Sequence, residues 1–160
     1  MTLLAGFPPV IDTHATVLVL GSFPSTASLA AGQYYAHPQN QFWRVLGAVL
    51  DQPLKEMPYP ARLKAVKSAG IGIWDIYASC EREGSLDSAI RGATENDFTG
   101  LRKSAPALRR ICFNGRTAAR RLREMEALGY EAVVLPSTSP AHAGMRFEEK
   151  LAHWRAALLG

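Results

Sequence analysis

The residues able to do chemistry in this 160-residue chain fall into five short stretches. YYAHPQNQFW, residues 34–43, gathers two tyrosines, a histidine, three amides and two further aromatics around a proline. GSFPSTASL from Gly21, DIYASCEREGSLD from Asp75, NGR from Asn114 and PSTSPAHAG from Pro136 are rich in small, hydrogen-bonding residues. Gly21 and Ser22 suit close approach of backbone N–H groups to a ligand, as nests and helix N-termini approach anions and carbonyl oxygens. The same residue types also serve simply to close βα loops. Asn40 directly precedes a helical pattern, and Asn is among the best N-caps, so the residues alone favour a capping role for it. No G-x-G-x-x-G or G-x-x-x-x-G-K-[ST] follows a strand pattern, which argues against a dinucleotide or P-loop site. Cys80 and Cys112, the two cysteines, have no second Cys or His at zinc-like spacing, so no metal site, disulfide framework or cofactor is expected.

These stretches need elements to hold them. Four apolar runs, residues 17–20, 71–76, 111–113 and 133–135, each give way to polar or Gly/Pro-rich sequence, as buried strands do. Phe42, Val45, Leu46, Val49 and Leu50 recur at i, i+3, i+4, i+7, i+8, and Phe147, Leu151, Trp154 and Leu158 at i, i+4, i+7, i+11, predicting two one-sided helices. A third helix is predicted over residues 116–127, with Arg116, Arg120 and Arg123 on one face and Ala118, Leu122 and Met125 on the other. Residues 51–60, with three prolines, read as a loop between helices. Strands alternating with helices imply crossover connections, hence an α/β fold: a three-layer α/β/α sandwich with a short, mainly parallel four-stranded sheet. In such sheets sites form beyond the carboxyl ends of the strands, where four of the five stretches begin.

The length fits a single domain over residues 1–160, and 48% apolar residues suffice for a core. No basic leader precedes residue 12, and no apolar run approaches the roughly 20 residues of a membrane span. A soluble, cytoplasmic protein without a membrane partner is expected. The net charge of +4 is modest, but 13 of the 18 basic residues are arginines and six of these lie within residues 109–123. Arginine's planar fork pairs well with phosphate, which makes nucleic acid a candidate partner; a solvated helix face is the plainer alternative.

In order, GSFPS after the first strand, YYAHPQNQFW before a helix, WDIYASCEREGSLDSAI followed by NDF and FNG, and LPSTSPAHA after the last strand form a set that resembles the uracil-DNA glycosylase superfamily. More narrowly, it is similar to the hypoxanthine-DNA (DNA-deoxyinosine) glycosylase branch over residues 17–142. The AHPxNxFW portion also resembles the mismatch-specific uracil glycosylases, whose first motif carries a catalytic amide where this chain has Phe23. The resemblance therefore implies that Asn40 is the catalytic amide, orienting the attacking water, while also capping its helix. It further implies that Tyr35 stacks on an extruded base, with Tyr34 packing or lying at the rim. The last loop reads Ser-Thr-Ser-Pro-Ala-His in place of the His-Pro-Ser-Pro-Leu-Ser of the main uracil glycosylases, so His142 either replaces the base-polarising histidine or is structural.

A glycosylase must extrude a nucleotide, hold its base and cleave the N-glycosidic bond with water. Backbone N–H groups of Ser22 and Phe23 are expected to stabilise charge on the departing base. Ser137, Thr138 and Ser139 are expected to grip flanking phosphates, with Arg116, Arg120 and Arg123 adding attraction. His37 is expected to brace the Asn40 turn, and Asp75, Ser85 and Asn114 either line the pocket or close loops. The five lysines lie outside the post-strand motifs, which implies a monofunctional enzyme without an amine nucleophile. The expected activity is thus DNA repair: removal of a deaminated base, hypoxanthine before uracil, leaving an abasic site. The expected partner is DNA containing a damaged base, with association with a bacterial-type nucleoid through that DNA and no obligate protein partner. Two alternatives stand beside it, a uracil- or mismatch-specific glycosylase and a non-catalytic protein that binds damaged or single-stranded DNA.

Overall fold

The computed structural model of the chain describes residues 2–142 and 144–160. In chain order the backbone forms β1 (Leu3–Ala5), β2 (Val17–Gly21), α1 (Thr26–Ala31), α2 (Phe42–Leu50), α3 (Tyr59–Ser68), β3 (Ile71–Asp75), β4 (Tyr77–Glu81), β5 (Arg91–Glu95), α4 (Leu101–Ser104), β6 (Arg110–Asn114), α5 (Leu122–Ala127), β7 (Glu131–Leu135) and α6 (Phe147–Leu159). The four predicted strands are β2, β3, β6 and β7, and they pair in the order β3-β2-β6-β7 with every pairing parallel.

Parallel strands covered on both faces show continuous apolar sequence, because alternate side chains enter two different cores. Val17, Val19, Ile71, Ile73 and Cys112 pack on one side with Phe42, Leu46, Val66 and Trp154 from α2, α3 and α6. Leu18, Leu20, Ile111 and Phe113 pack on the other with Leu101 and Met125 from α4 and α5. This is the expected three-layer sandwich.

Three features depart from the sequence expectation. The stretch after β3 is not a plain loop, since β4 starts two residues on and joins β1 and β5 in a second, antiparallel sheet of order β1-β4-β5. The helix expected over residues 116–127 is divided into a 3-10 turn at Ala118–Arg121 and the short α5. Its two faces survive: Arg116, Arg120 and Arg123 are exposed while Ala118 and Met125 are buried. Residues 51–60 contain a 3-10 turn at Leu54–Glu56, and α3 begins at Tyr59 with Pro60 in its first turn, where a missing N–H costs nothing.

Candidate active site

Register decides which polar residues meet. Gly21 pairs with Asp75 across β2 and β3, and Asn114 ends the neighbouring β6. Each is two residues beyond a member of the core shared with α2 and α6, namely Val19, Ile73 and Cys112. Side chains alternate along a strand, so these three positions face the same side at the carboxyl end of the sheet. Tyr35 enters from above. A Cβ on Gly21 would lie 2.6 Å from Asp75 Oδ1 and 2.8 Å from the Tyr35 hydroxyl, so only glycine leaves that space open.

Tyr35 is held from three directions. Its backbone is left-handed at φ 54°, a conformation costing a non-glycine residue roughly 1–2 kcal/mol. Its ring lies flat on Phe42, centroids 3.9 Å apart and planes 14° off parallel. Its hydroxyl accepts a hydrogen bond from Asn114 Nδ2 at 3.3 Å. Burial, then the charge of Asp75, pushes the phenol pKa upward, so Tyr35 stays neutral. Tyr34, by contrast, is core: its hydroxyl donates to the Pro8 carbonyl at 2.9 Å and its carbonyl accepts from Trp43 Nε1 at 3.0 Å.

Asn40 sits half-buried in the turn that enters α2. Its Oδ1 accepts from the Phe42 N–H at 2.9 Å, while Gln41, the residue flanking the helix, makes no side-chain cap. His37 braces the turn as expected, its carbonyl accepting from the Asn40 N–H at 3.0 Å and its Nδ1 from the Gln39 N–H at 3.1 Å. Gln41 ties this turn to the last loop: its N–H donates to the Thr138 carbonyl at 3.0 Å.

Thr138 is the correction among the expected phosphate contacts. It is 1% exposed, with its N–H donating to Asn114 Oδ1 and its hydroxyl accepting from Asn114 Nδ2, both at 3.0 Å. The side chain therefore anchors the loop from inside instead of facing a ligand. Asn114 is likewise committed to Thr138 and Tyr35, which makes it the joint between β6, the last loop and the aromatic platform. Ser137 and Ser139 remain part-exposed at the rim, their hydroxyls accepting from the Ser139 and Ala141 N–H groups at 3.1 and 3.2 Å. Gly115, at φ 93°, lets β6 approach this loop, since a Cβ there would meet Ser137 Cβ at 3.2 Å. His142 is exposed at the end of a 3-10 turn. Arg116 follows Gly115 directly and so belongs to the same end of the sheet, whereas Arg120 and Arg123 lie farther along the turn and α5.

The first loop is clamped from the stretch after β3 by Arg82 and Asp87, neither of which is among the candidates named there from the sequence, Asp75 and Ser85. Arg82, buried, donates to the Pro24 carbonyl at 2.5 Å and the Gly84 carbonyl at 2.9 Å, and stands 5.3 Å from the Phe23 ring centroid. Ser22 Oγ donates to Asp87 Oδ1 at 2.6 Å, and Ser85 Oγ accepts from the Thr26 N–H at 2.9 Å. Ser85 thus closes a loop. The Phe23 ring is buried, so that residue can meet a ligand only through its backbone.

Lys150 is the other residue missed. It lies on α6, is 1% exposed, and donates to Gln41 Oε1 at 2.9 Å and the His142 carbonyl at 3.3 Å, coupling the Asn40 turn to the last loop. Burial lowers its pKa. Lysines are rarely found so deep without a carboxylate, so nothing in its spacing distinguishes it from a solvent-facing lysine. Surface clefts lined by Asp12, His14 and Lys64, and by Arg44, Asp51 and Glu56, include none of Tyr35, Asn40, Asp75, Asn114 and Thr138. Among the described residues no three or more His, Cys, Asp or Glu are arranged to hold a metal ion, and no helix is long and apolar enough to cross a membrane.

Comparison with known proteins gives three concordant findings. The family model for the uracil DNA glycosylase superfamily matches residues 8–159, which include all of these loops. Relatives described as hypoxanthine DNA glycosylases occur in Methanosarcina acetivorans, 45% identical, and Methanosarcina barkeri, 41% identical, each match covering 86% of this chain and 87% of the relative. A solution NMR structure of a Methanosarcina acetivorans protein, assigned provisionally as a uracil DNA glycosylase, superposes with a TM-score of 0.89 at 41% identity, covering 98% of this chain and 97% of that one.

Proposed function

This chain belongs to the uracil DNA glycosylase superfamily, and on that footing we propose that it extrudes a deaminated base from DNA, hypoxanthine in preference to uracil, and hydrolyses the N-glycosidic bond. The observation that carries the reading is its 45% identity to a hypoxanthine DNA glycosylase across 86% of the chain. The geometry supports it. Tyr35, backed by Phe42, is a preformed platform for a base, and base–aromatic stacking is worth roughly 1–3 kcal/mol.

The reaction breaks the bond between C1′ and the base nitrogen, adds the oxygen of water to C1′, and leaves the base carrying a proton. The sugar becomes oxocarbenium-like and the base gathers negative charge. Backbone N–H groups of Ser22 and Phe23, in the loop clamped by Arg82 and Asp87, are the donors for that charge. Asn40 spends one carbonyl lone pair on the Phe42 N–H, and its second lone pair accepts from a water poised at C1′. An amide is no general base, so Asn40 acts by positioning. Ser137 and Ser139 at the rim meet phosphates, and Arg116, Arg120 and Arg123 extend the positive surface.

The enzyme is monofunctional in this reading, working at DNA wherever the chromosome lies and without an obligate protein partner. Lys150, the amine brought against the site, is turned inward onto two carbonyl oxygens. A duplex containing one deoxyinosine should yield free hypoxanthine and an alkali-labile site, with no protein–DNA adduct on borohydride reduction. Binding without base release contradicts the reading, and a trapped adduct contradicts its monofunctional part.

A further inference from the structure

Asp75 ends β3 in the middle of this site, and the mechanism above leaves its carboxyl without a task. Its position is fixed with care. The Asp75 carbonyl accepts from Asn96 Nδ2 at 2.7 Å and the next carbonyl, that of Ile76, from the Asn96 N–H at 2.8 Å, so Asn96 holds the strand end from the β5 side. The side chain is 4% exposed and shares with the Tyr35 hydroxyl the small space that Gly21 leaves open. Its Oδ2 is buried with no hydrogen-bond partner among the described residues. Buried polar atoms are nearly always paired in native proteins, so an unpaired oxygen on a carboxyl that borders the Tyr35 hydroxyl through its other oxygen calls for an occupant.

The groups around Asp75 explain its charge state. Asp87 presents a negative charge from the turn after β4, Tyr34 and Tyr35 present neutral phenols, and Arg82 presents a guanidinium. Arg82 forms no ion pair with Asp75 among the described residues: its Nε and Nη2 donate to the Gly84 and Pro24 carbonyls, and its Nη1 has no partner among them. Burial first, then repulsion from Asp87, pushes the Asp75 carboxyl up to about 7 against the smaller pull of Arg82. Near neutral pH much of it therefore carries a proton. A buried carboxylic acid kept neutral is a hydrogen-bond donor in search of an acceptor, and enzymes use such groups to hold charge on carbonyl oxygens.

We propose that Asp75 is a further substrate-facing group of this site, its carboxyl donating a hydrogen bond to the carbonyl oxygen or a ring nitrogen of the base extruded onto Tyr35. That bond strengthens as the C1′–N bond breaks and its electron pair leaves with the base. The proton remains on Asp75; the proton the base finally carries comes from the attacking water by way of solvent. An ionised Asp75 would instead set a negative charge against a leaving group that is becoming negative. Excision is accordingly gated by the protonation of this one carboxyl, a refinement that rests on the glycosylase reading.

The test is the single-turnover rate of hypoxanthine release from a one-lesion duplex between pH 5.5 and 9.5, for the parent, Asp75→Asn and Asp87→Asn, each checked by thermal melting. The parent rate should fall as pH rises past about 7, approaching tenfold per unit. Asp75→Asn, whose amide cannot titrate, should lack that fall and be slower at pH 6 by on the order of tenfold. Asp87→Asn removes the neighbouring charge while retaining an acceptor for Ser22, so the alkaline fall should move to lower pH. That variant keeps the question decidable if Asp75→Asn does not fold. No release by the parent at any pH overturns the glycosylase reading and this assignment together. Release with a pH profile unchanged in Asp75→Asn, or unmoved in Asp87→Asn, overturns the assignment alone.

Discussion

At the scale of residues, the proposed mechanism gives Asn40 two jobs with one amide. Its Oδ1 receives the Phe42 N–H at the start of α2, the capping use that its place in the sequence suggests, and one lone pair remains for water. The two jobs separate on substitution. Serine caps about as well as asparagine, whereas alanine costs about 1 kcal/mol, so Asn40→Ser should melt close to the parent and Asn40→Ala somewhat lower. Neither replacement places a carbonyl oxygen at the reach of the asparagine side chain. Single-turnover excision should therefore drop on the order of 100-fold or more in both, with lesion binding retained. Activity that merely follows the melting temperature would make Asn40 a cap and nothing else. The motif residues were legible because their types and order carry the signal. Thr138 was misread as a phosphate contact because an STS loop does not reveal which hydroxyl turns inward. The demand made by Asp75 was illegible for a related reason: burial and a missing partner are properties of the packed molecule, not of a D-I-Y tripeptide.

At the scale of elements, β2, β3 and β6 were readable because each is buried on both faces and so writes an unbroken apolar run, while the edge strand β7 was readable from its short apolar run although Val134 is exposed. Strand β1 has three residues and β5 is exposed at every position, so neither leaves a pattern to find. On α6 the apolar spacing located the helix, yet its buried stripe also contains Lys150, which periodicity assigns to solvent. The arginine helix was found with its face right and its geometry wrong, because the first turn tightens to 3-10 and Arg121 turns aside to pair with Glu95 and Glu124. Arg116, Arg120 and Arg123 stay exposed, available to phosphate. DNA affinity should fall steeply with salt, and Arg120→Ala should lower the slope of log K against log salt by about 1 while saturated single-turnover cleavage stays close to the parent's. An unchanged slope would remove that residue from the DNA footprint.

At the scale of the molecule, the fold works by convergence. A four-stranded parallel sheet delivers Gly21, Asp75 and Asn114 to one end and one face, and α2 and α6 hold the Tyr35 platform and the last loop against them. Asn114 to Thr138 to Gln41 is a continuous chain of hydrogen bonds, so displacing any one of these loops disturbs the others. A small positive net charge concentrated in arginines suits the proposed role, in which the protein finds DNA electrostatically and then discriminates by what fits over Tyr35. The most direct measurement compares single-turnover excision from duplexes identical except for one deoxyinosine or one deoxyuridine, scoring abasic sites by alkali at saturating protein. Hypoxanthine released faster than uracil is the predicted result; uracil released at least as fast, or neither base released, contradicts it.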